Sequence, residues 1–288
     1  MSLIEKVLFP VDFSPSSVGM AAYVQRAAAM FGASVSLVHV VDPSSYSGLE
    51  LYTRSPFEIA DEHLSIGRER LASFLTAEFP AERCPRILAE GDAATEIARV
   101  AREGKFGLIV MPTHAGYFRQ MLLGSTTAKV LDSAPCPVLT SRHAQTIAPH
   151  PIEHREWLCA VGISPNSTRV LRFAKEAVEV THARLTLLHA VQSAGASTPV
   201  QLDLEEQLQS AERQAAHERI LELERSVGLD APVRIAVGKV KEALLQAAGQ
   251  SNADALMIGR NPRPGATGRL RDLTYAMVRD SPFPVLSI

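Results

Sequence analysis

The residues Gly124, Ser125 and Thr126 carry the clearest chemistry in the sequence, because they open a helical pattern, TTAKVLDSA. The first amides of a helix have no partner within the helix, and the helix dipole adds partial positive charge there. Such an end is suited to bind phosphate. A hydroxyl at this place either binds the phosphate or caps a helix whose end is empty, and Gly-Ser alone does not decide between these two roles.

A second candidate group is Asp12, which follows the first apolar strand pattern in VDFSPSS. Its carboxylate is placed to accept hydrogen bonds from a ribose or a base. The alternative is a turn-forming aspartate beside a helix cap. Ligands of an open parallel sheet bind outside the carboxyl ends of the strands, so Val40, at the end of VSLVHV, and Met111, where the loop after the fourth strand begins, belong to the same candidate site.

Other reactive side chains do not form recognisable sites. His39 and His189 occupy the same position of two similar apolar segments, which favours a shared structural role over catalysis. His150 and His154 lack any further pattern of metal ligands. No GxSxG, no GxxxxGK[ST] and no base placed beside a nucleophile occurs, so a dedicated hydrolase is not predicted. The three cysteines are scattered without a CxxC pair, which favours structural thiols in a reducing compartment: Cys84, Cys136 and Cys159.

The elements that must position these groups occur twice in the chain. Four segments of the first half match four of the second in the same order, which indicates a duplication. The matched pairs are 6–43 with 157–193, 86–101 with 233–248, 107–111 with 255–259, and 134–140 with 281–287.

Short apolar, β-branched runs alternate with helical stretches in each half, which is typical of βαβ units and a parallel sheet covered by helices on both faces. Ser14-Pro15 and Ser164-Pro165 predict helix starts, and Gly32 predicts a helix end. The stretch 204–226 predicts a solvated amphipathic helix. We therefore expect two α/β domains, 1–142 and 154–288, joined by a proline-containing linker over 143–153.

Composition narrows the classes of function. The chain has 288 residues, of which 46% are hydrophobic and 21% charged, enough for two cores of ordinary size. The formal net charge is −2 without a run of like charges, so a nucleic-acid partner is not expected. No apolar stretch approaches the roughly 20 residues that cross a bilayer and no cleavable signal is recognisable, so we expect a cytoplasmic protein without a membrane partner.

With these motifs in order, both halves resemble domains of the universal stress protein family, and the chain resembles a tandem member over nearly its whole length. The segments that carry the resemblance are VDFSPSS, LVHVVDP, EGDAATEIARVA, LIVMPTHAGYFRQMLLGSTTAKVL and APCPVL. The resemblance implies a five-stranded parallel sheet per domain, Rossmann-like and similar to adenine nucleotide hydrolases, and an intramolecular pseudo-dimer paired through the last strands. A further homodimer is left open.

In its nucleotide-binding branch the family holds ATP, with Mg²⁺ where it is bound, by an aspartate, by the backbone of the second strand and by a loop of pattern G-x2-G-x9-G-[ST]. Carried onto this sequence, Asp12 and Val40 face the ribose and adenine end. The loop that begins at Met111 includes His114, which either donates a hydrogen bond to an anion or packs within the turn. The phosphate positions fall on Gly124, Ser125 and Thr126.

The loop departs from the family pattern at its first two glycines. These are Pro112 and Ala115 here, and eight residues rather than nine separate Ala115 from Gly124. Proline has no N–H, and alanine in a left-handed conformation costs about 1–2 kcal/mol. A lost charge-assisted hydrogen bond costs about 1.5–3 kcal/mol. We expect nucleotide binding weakened by about 10- to 1,000-fold, unless Gly116 lets the loop bend one residue later.

The second half departs further. Gly162 replaces the aspartate, and Arg271-Asp272 stand in the place of Gly-Ser, where Asp272 is predicted to cap its own helix. Gly259 is retained without the rest of the pattern, so ATP is not expected there. Four arginines in this loop are compatible with an anion, with an acidic partner surface, or with a solvated loop: Arg260, Arg263, Arg269 and Arg271.

The sequence thus favours a module that binds or senses ATP in the first domain and takes part in the stress response, without dedicated catalysis. The competing hypothesis is an interaction or scaffold protein that acts in the stress response without nucleotide. A third hypothesis is an adenine nucleotide hydrolase of related fold, for which the sequence offers no group beyond Asp12 to orient water or Mg²⁺.

Overall fold

The chain divides into two compact units, residues 1–149 and 150–288. The computed structural model describes residues 3–43, 55–113, 123–142, 155–164, 166–192, 199–251, 253–260 and 269–288, with backbone alone for 199–208 and 269–272. The linker predicted for 143–153 lies outside the described residues.

The first unit holds a parallel sheet in the order β3-β2-β1-β4-β5. Strands and helices alternate along the chain, as the βαβ pattern predicts. The elements are β1 Lys6–Pro10, α1 Pro15–Phe31, β2 Ser34–Val41, α2 Pro56–Ser73, β3 Arg86–Glu90, α3 Ala93–Glu103, β4 Leu108–Pro112, α4 Ser125–Ser133 and β5 Val138–Ser141.

The second unit repeats this arrangement in the order β8-β7-β6-β9-β10, again with parallel strands. The predicted α/β class, with one parallel sheet per unit, is confirmed. The elements are β6 Glu156–Ala160, α5 Ser167–Thr181, β7 Arg184–Val191, α6 Pro199–Val227, β8 Val233–Val237, α7 Val240–Gly249, β9 Ala255–Ile258, α8 Arg269–Asp280 and β10 Val285–Ser287.

The order of the first sheet reverses between β1 and β4. The chain runs outward from β1 through β2 to β3 and then returns to the other side of β1. The connections that leave β1 and β4 therefore diverge, which opens a crevice at the carboxyl ends of these two strands. The central strands are apolar and buried, with Leu8, Phe9 and Ile109 all inaccessible to solvent, so the crevice stands on a rigid base.

Helix α1 begins and ends where the sequence predicts. The Ser14 hydroxyl oxygen accepts a hydrogen bond from the Ser17 amide, and Pro15 is the first helical residue. Gly32 ends the helix with a φ of 64°, a left-handed conformation that glycine adopts without strain.

Two predicted helix caps in the second unit are wrong. Helix α5 is preceded by Asn166, and Ser164 instead forms a tight turn in which its carbonyl accepts from the Ser167 amide at 3.0 Å. Its hydroxyl is engaged with the Ser167 hydroxyl, 3.1 Å away, and is not available to cap the helix. Asp272 is the fourth residue of α8, which begins at Arg269, so it lies within the first turn and not at the cap.

Helix α6 covers the stretch in which a solvated amphipathic helix is predicted, and its described side chains confirm that pattern. Ala216, Ile220 and Glu224 follow one another at four-residue spacing and are buried, while most of their neighbours are exposed. Across the described residues, no helix is both long and apolar enough to span a membrane.

Tyr23 in α1 provides a test of the packing of the first unit. Its side chain is buried, and its hydroxyl has no hydrogen-bond partner among the described residues. The repeat places Phe173 at the matching position of α5. We expect Tyr23→Phe to raise the free energy of unfolding by about 0.5–1.5 kcal/mol, because a buried hydroxyl without a partner is destabilising. Urea unfolding with an unchanged m-value would measure the gain, and a loss of stability would contradict the structure.

Candidate functional site

A cavity of about 380 Å³ lies at the crevice of the first unit. It is bounded by the carboxyl ends of β1, β2 and β4 and by the amino ends of α3 and α4. All the described residues of the predicted site line this cavity: Asp12, Val40, Met111, Pro112, Gly124, Ser125 and Thr126. Two further predicted site residues, His114 and Ala115, lie outside the described residues, as does Gly116.

The Asp12 carboxylate is held by the turn that leads into α1. Its Oδ1 atom accepts hydrogen bonds from the Ser14 amide at 3.0 Å and from the Ser17 hydroxyl at 2.6 Å. The residue is exposed to solvent and lines the cavity. The turn-forming role and the ligand-facing role that the sequence left as alternatives are therefore compatible, because the turn uses one carboxylate oxygen.

The same turn is braced by Phe13, whose backbone has a φ of 62°. The Phe13 ring lies 4.3 Å from the His39 ring and 5.2 Å from that of Phe74, between ring centroids, and the Arg70 guanidinium stands 4.3 Å from its centroid. These ring contacts and the cation–π contact hold a conformation that a bulky residue rarely adopts. The loop after β1 is thereby fixed on the side of the cavity that carries Asp12.

His39 joins this loop to β2. Its Nδ1 lies 2.8 Å from the Val11 carbonyl oxygen, and because a carbonyl only accepts, Nδ1 carries the hydrogen. Burial lowers the pKa of His39, against the opposing effect of this hydrogen bond, so the ring is neutral near pH 7. In the second unit His189 makes the same contact with Val161, at 2.7 Å. This repeated bond agrees with the structural role expected for both histidines.

Strand alternation directs the main chain of Val40 toward the cavity. The Val38 carbonyl, two residues earlier, points to the β1 side and accepts from the Val11 amide at 2.8 Å. Main-chain groups two residues apart point to the same neighbouring strand. After Val11 the chain turns away into the Phe13 turn, so the Val40 carbonyl faces the space beyond the end of β1.

The amino end of α4 is open toward the same cavity. Gly124 is the N-cap, with φ −61° and ψ 142°, and no side chain of the described residues caps the helix. The first bond of the helix runs from the Ala128 amide to the Gly124 carbonyl, so the amides of Ser125 and Thr126 have no partner within it. These two residues line the cavity, where an anion would meet both the amides and the dipole.

Two hydrogen bonds attach this helix end to the end of β4. The Gly124 amide donates to the Thr113 carbonyl at 2.8 Å, and the buried Thr127 hydroxyl donates to the Pro112 carbonyl at 3.0 Å. Proline at position 112 does not interrupt the ladder to β5, which continues from the Thr113 amide to the Ser141 carbonyl at 3.3 Å. The position of the open amides is thus set by β4 directly.

An ion pair between α3 and α4 stands next to the cavity. Asp92 caps α3 by accepting from the amide and hydroxyl of Thr95, and its other oxygen lies 2.8 Å from the Lys129 ammonium. The hydrogen bonds from Lys129 and then from Thr95 lower the pKa of Asp92 to about 2. No local sequence pattern indicates this pair, because its members are 37 residues apart.

The corresponding positions of the second unit lack these groups. The Ser167 hydroxyl donates to the main-chain oxygen of Gly162, where the first unit has the Asp12 carboxylate. Lys239 and Ala276 stand where the first unit has Asp92 and Lys129. Arg260 is buried. Arg263 and the side chains of Arg269 and Arg271 are not described, so the hypothesis of an anion at these four arginines stays a prediction.

Among the described residues, the cysteines and histidines form no candidate metal site. No group of three or more His, Cys, Asp or Glu side chains among the described residues is arranged to hold a metal ion. His150 and His154 lie outside those residues. The three cysteines form no disulfide, and burial raises the pKa of Cys159 to about 12, which leaves it unreactive.

Comparison with known proteins places both units in one family. The model of the universal stress protein family matches residues 4–142 and 155–288. A universal stress protein of Methanocaldococcus jannaschii is 33% identical over 141 residues, which are 48% of this chain and 82% of that protein. One from Thermus aquaticus is 31% identical over 144 residues, 49% of this chain and 100% of that protein. The crystal structure of a universal stress protein from Archaeoglobus fulgidus has a TM-score of 0.67 at 21% identity, covering 98% of this chain and 95% of that one.

The attachment of α4 to β4 can be tested in both units. We expect Thr127→Val to lower the free energy of unfolding by about 1–3 kcal/mol, because the Pro112 carbonyl loses its buried donor. The matched variant is Thr274→Val, since Thr274 makes the equivalent contact with Gly259 at a longer 3.5 Å. It should lower stability less. Urea unfolding compares the two variants, and equal losses would contradict the role given to Thr127.

The ion pair can be tested by titration. We expect Lys129→Met to raise the pKa of Asp92 from about 2 without restoring its ordinary value, because Thr95 still donates to it. A carboxyl whose pKa is lowered by folding stabilises the protein above its unfolded pKa, and this contribution is lost as the pH falls through the folded value. The carboxyl carbon shift of Asp92 against pH, followed by NMR, measures the change. Lys105→Met, at an exposed lysine of the same unit, is the control, and an equal shift there would contradict the pair.

Proposed function

We propose, from the premise that the chain belongs to the universal stress protein family, that its first unit binds an adenine nucleotide, with ATP as the leading candidate. The protein would then act as a nucleotide-binding or nucleotide-sensing module in the stress response. The observation that carries the proposal is a single cavity lined both by an open helix end suited to phosphate and by a carboxylate suited to ribose or base hydroxyl and amino groups.

The two ends of the cavity differ in chemistry in the way that a nucleotide requires. Asp12 and the carbonyl of Val40 offer acceptors at the ends of β1 and β2, while Ser125 and Thr126 offer donors at the start of α4. The apolar side chains of Ile97 and Met111 line the space as well, which suits the faces of a purine. The volume of about 380 Å³ lies within the range of small-molecule sites.

The departures at the phosphate loop affect the ligand more than the fold. Pro112 is the last residue of β4, and its carbonyl is engaged by Thr127, so the strand tolerates proline here. Proline lacks the main-chain N–H from which a phosphate would otherwise accept a hydrogen bond. We therefore propose a retained site with reduced affinity. Ala115 and Gly116 lie outside the described residues, so the bend they form stays a prediction.

The residues that line the cavity favour binding of ATP without its hydrolysis. Hydrolysis of ATP needs a positioned Mg²⁺ and an oriented water. Among the described residues that line the cavity, Asp12 is the one carboxylate, and its Oδ1 is already bonded to Ser14 and Ser17. Mg²⁺ would accordingly be held mainly through the phosphates and its own waters.

The second unit is proposed to bind no nucleotide in the equivalent manner. Gly162 supplies no carboxylate, and Asp272 lies in the first turn of α8, where its charge would oppose a phosphate. One nucleotide per chain is therefore the proposed stoichiometry.

The proposal is tested by calorimetric titration of the chain with Mg-ATP and with adenosine. We expect one saturable site for ATP in the micromolar range. Ser125→Asp should weaken ATP binding at least tenfold, because it places a negative charge against the phosphates, which corresponds to about 1.4 kcal/mol. It should leave adenosine binding unchanged, since adenosine carries no phosphate.

Three results would contradict the proposal. Equal losses for ATP and adenosine would mean that the phosphates do not meet α4. An absence of heat and of co-purified nucleotide, established by mass spectrometry, would favour an interaction module that acts without nucleotide. Phosphate release that is abolished by Asp12→Ala would instead favour a hydrolase.

Acidic residues stabilise the first turn of a helix, so Ser125→Asp should leave the fold intact.

A further inference from the structure

Ser17 is buried beneath the cavity at the third position of α1. Its hydroxyl donates to Asp12 Oδ1 at 2.6 Å and accepts from the Asp12 amide at 3.3 Å. Its own amide donates to the Ser14 hydroxyl at 3.3 Å. Ser17 is 1% exposed, so these bonds are sheltered from water and the hydroxyl has little freedom to move.

These bonds determine which part of the carboxylate is available to a ligand. Oδ1 receives two donors, the Ser17 hydroxyl and the Ser14 amide. Oδ2 has no hydrogen bond to any described residue. A carboxylate held at one oxygen by a short bond from a buried hydroxyl cannot rotate freely about its Cβ–Cγ bond. The oxygen that remains is presented to the cavity in one orientation.

The second unit shows what the same hydroxyl does when the carboxylate is missing. Ser167 matches Ser17, and its hydroxyl donates to the Gly162 main-chain oxygen. The Ser164 amide also donates to it, at 3.1 Å. The serine therefore serves the turn in both units, but it contacts a ligand-facing group only in the first.

We propose that Ser17 is a positioning residue for ligand recognition: it holds Oδ1 of Asp12 so that Oδ2 meets the ribose or base of the nucleotide. This inference rests on the proposed function of the first unit. Ser17 acts through Asp12, so its removal matters only while Asp12 is present. Ser17 orients the carboxylate in advance. Because the hydrogen bond already restricts rotation of the carboxylate, ligand binding loses less conformational entropy.

The test is a double-mutant cycle on ATP affinity with Asp12→Ala, Ser17→Ala and the double variant. We expect Ser17→Ala to weaken binding about tenfold, in line with the loss of a hydrogen bond to a charged group. Added to Asp12→Ala, it should weaken binding less than twofold, because its partner is already gone. Ser167→Ala is the matched control, since it removes the equivalent hydroxyl of the second unit, and it should leave the affinity unchanged.

The outcomes separate the inference from the function on which it rests. Wild-type affinity in Ser17→Ala would overturn the inference and leave the proposed function standing. An equal tenfold loss with and without Asp12 would also overturn it, because it would show that Ser17 supports the cavity wall independently of the carboxylate. A chain that binds no nucleotide at all would overturn the proposed function and the inference together. Thermal unfolding of all variants identifies any loss due to misfolding, and Ser17→Thr, which keeps a hydroxyl, should restore the affinity if Ser17→Ala unfolds.

Discussion

The attachment of α4 to the end of β4 is the constraint on which the candidate site depends. The connection that precedes a helix does not by itself fix the direction in which the first amides of the helix point. Here the Gly124 amide is tied to Thr113 and the Thr127 hydroxyl to Pro112, so the strand sets the position and direction of the helix. Glycine at the N-cap has no side chain to satisfy the next amides, which leaves them for a ligand or for water.

The two units are a comparison of one scaffold with two sets of polar groups. Both keep the histidine bond from the second strand to the loop after the first, and both keep the threonine that ties the last helix to the fourth strand. These shared contacts belong to the fold. The first unit alone combines Asp12, the Gly-Ser helix start and the Asp92–Lys129 pair. If the two units differ in ligand binding, the difference would depend on these polar groups, because the scaffold is the same in both.

Local patterns and the internal repeat predicted most of the fold. Alternating apolar runs and helical stretches identified the parallel sheets, and short-range signals such as Ser14 and Gly32 located the ends of α1. The same signal failed at Ser164, because the cap depends on which group the hydroxyl meets, and there it meets Ser167. Sequence propensity identifies residues that can cap a helix. The geometry of the whole turn determines which group the side-chain hydroxyl actually bonds.

The candidate site was predictable as a set of residues but not as a network. Residues after the strands converge on one cavity because parallel strands end at one edge, so Asp12, Val40 and Ser125 could be placed together. Some contacts around these residues join positions far apart in sequence, as in the Lys129–Asp92 pair, and others depend on a left-handed residue such as Phe13. No periodicity encodes such contacts, and they become visible only when the helices and strands are packed.

The substitution at Pro112 shows why the effect of a motif change depends on its place in the fold. Read from sequence alone, a proline for a glycine removes a donor and stiffens a loop. In the structure the residue ends β4, where the ladder to β5 runs through the next amide, that of Thr113, and where its carbonyl still receives the Thr127 hydroxyl. The stiffening therefore falls on a strand that is already rigid, and the change is confined to one donor facing the cavity. A site can thus lose part of its affinity while the elements that present its remaining donors stay in place.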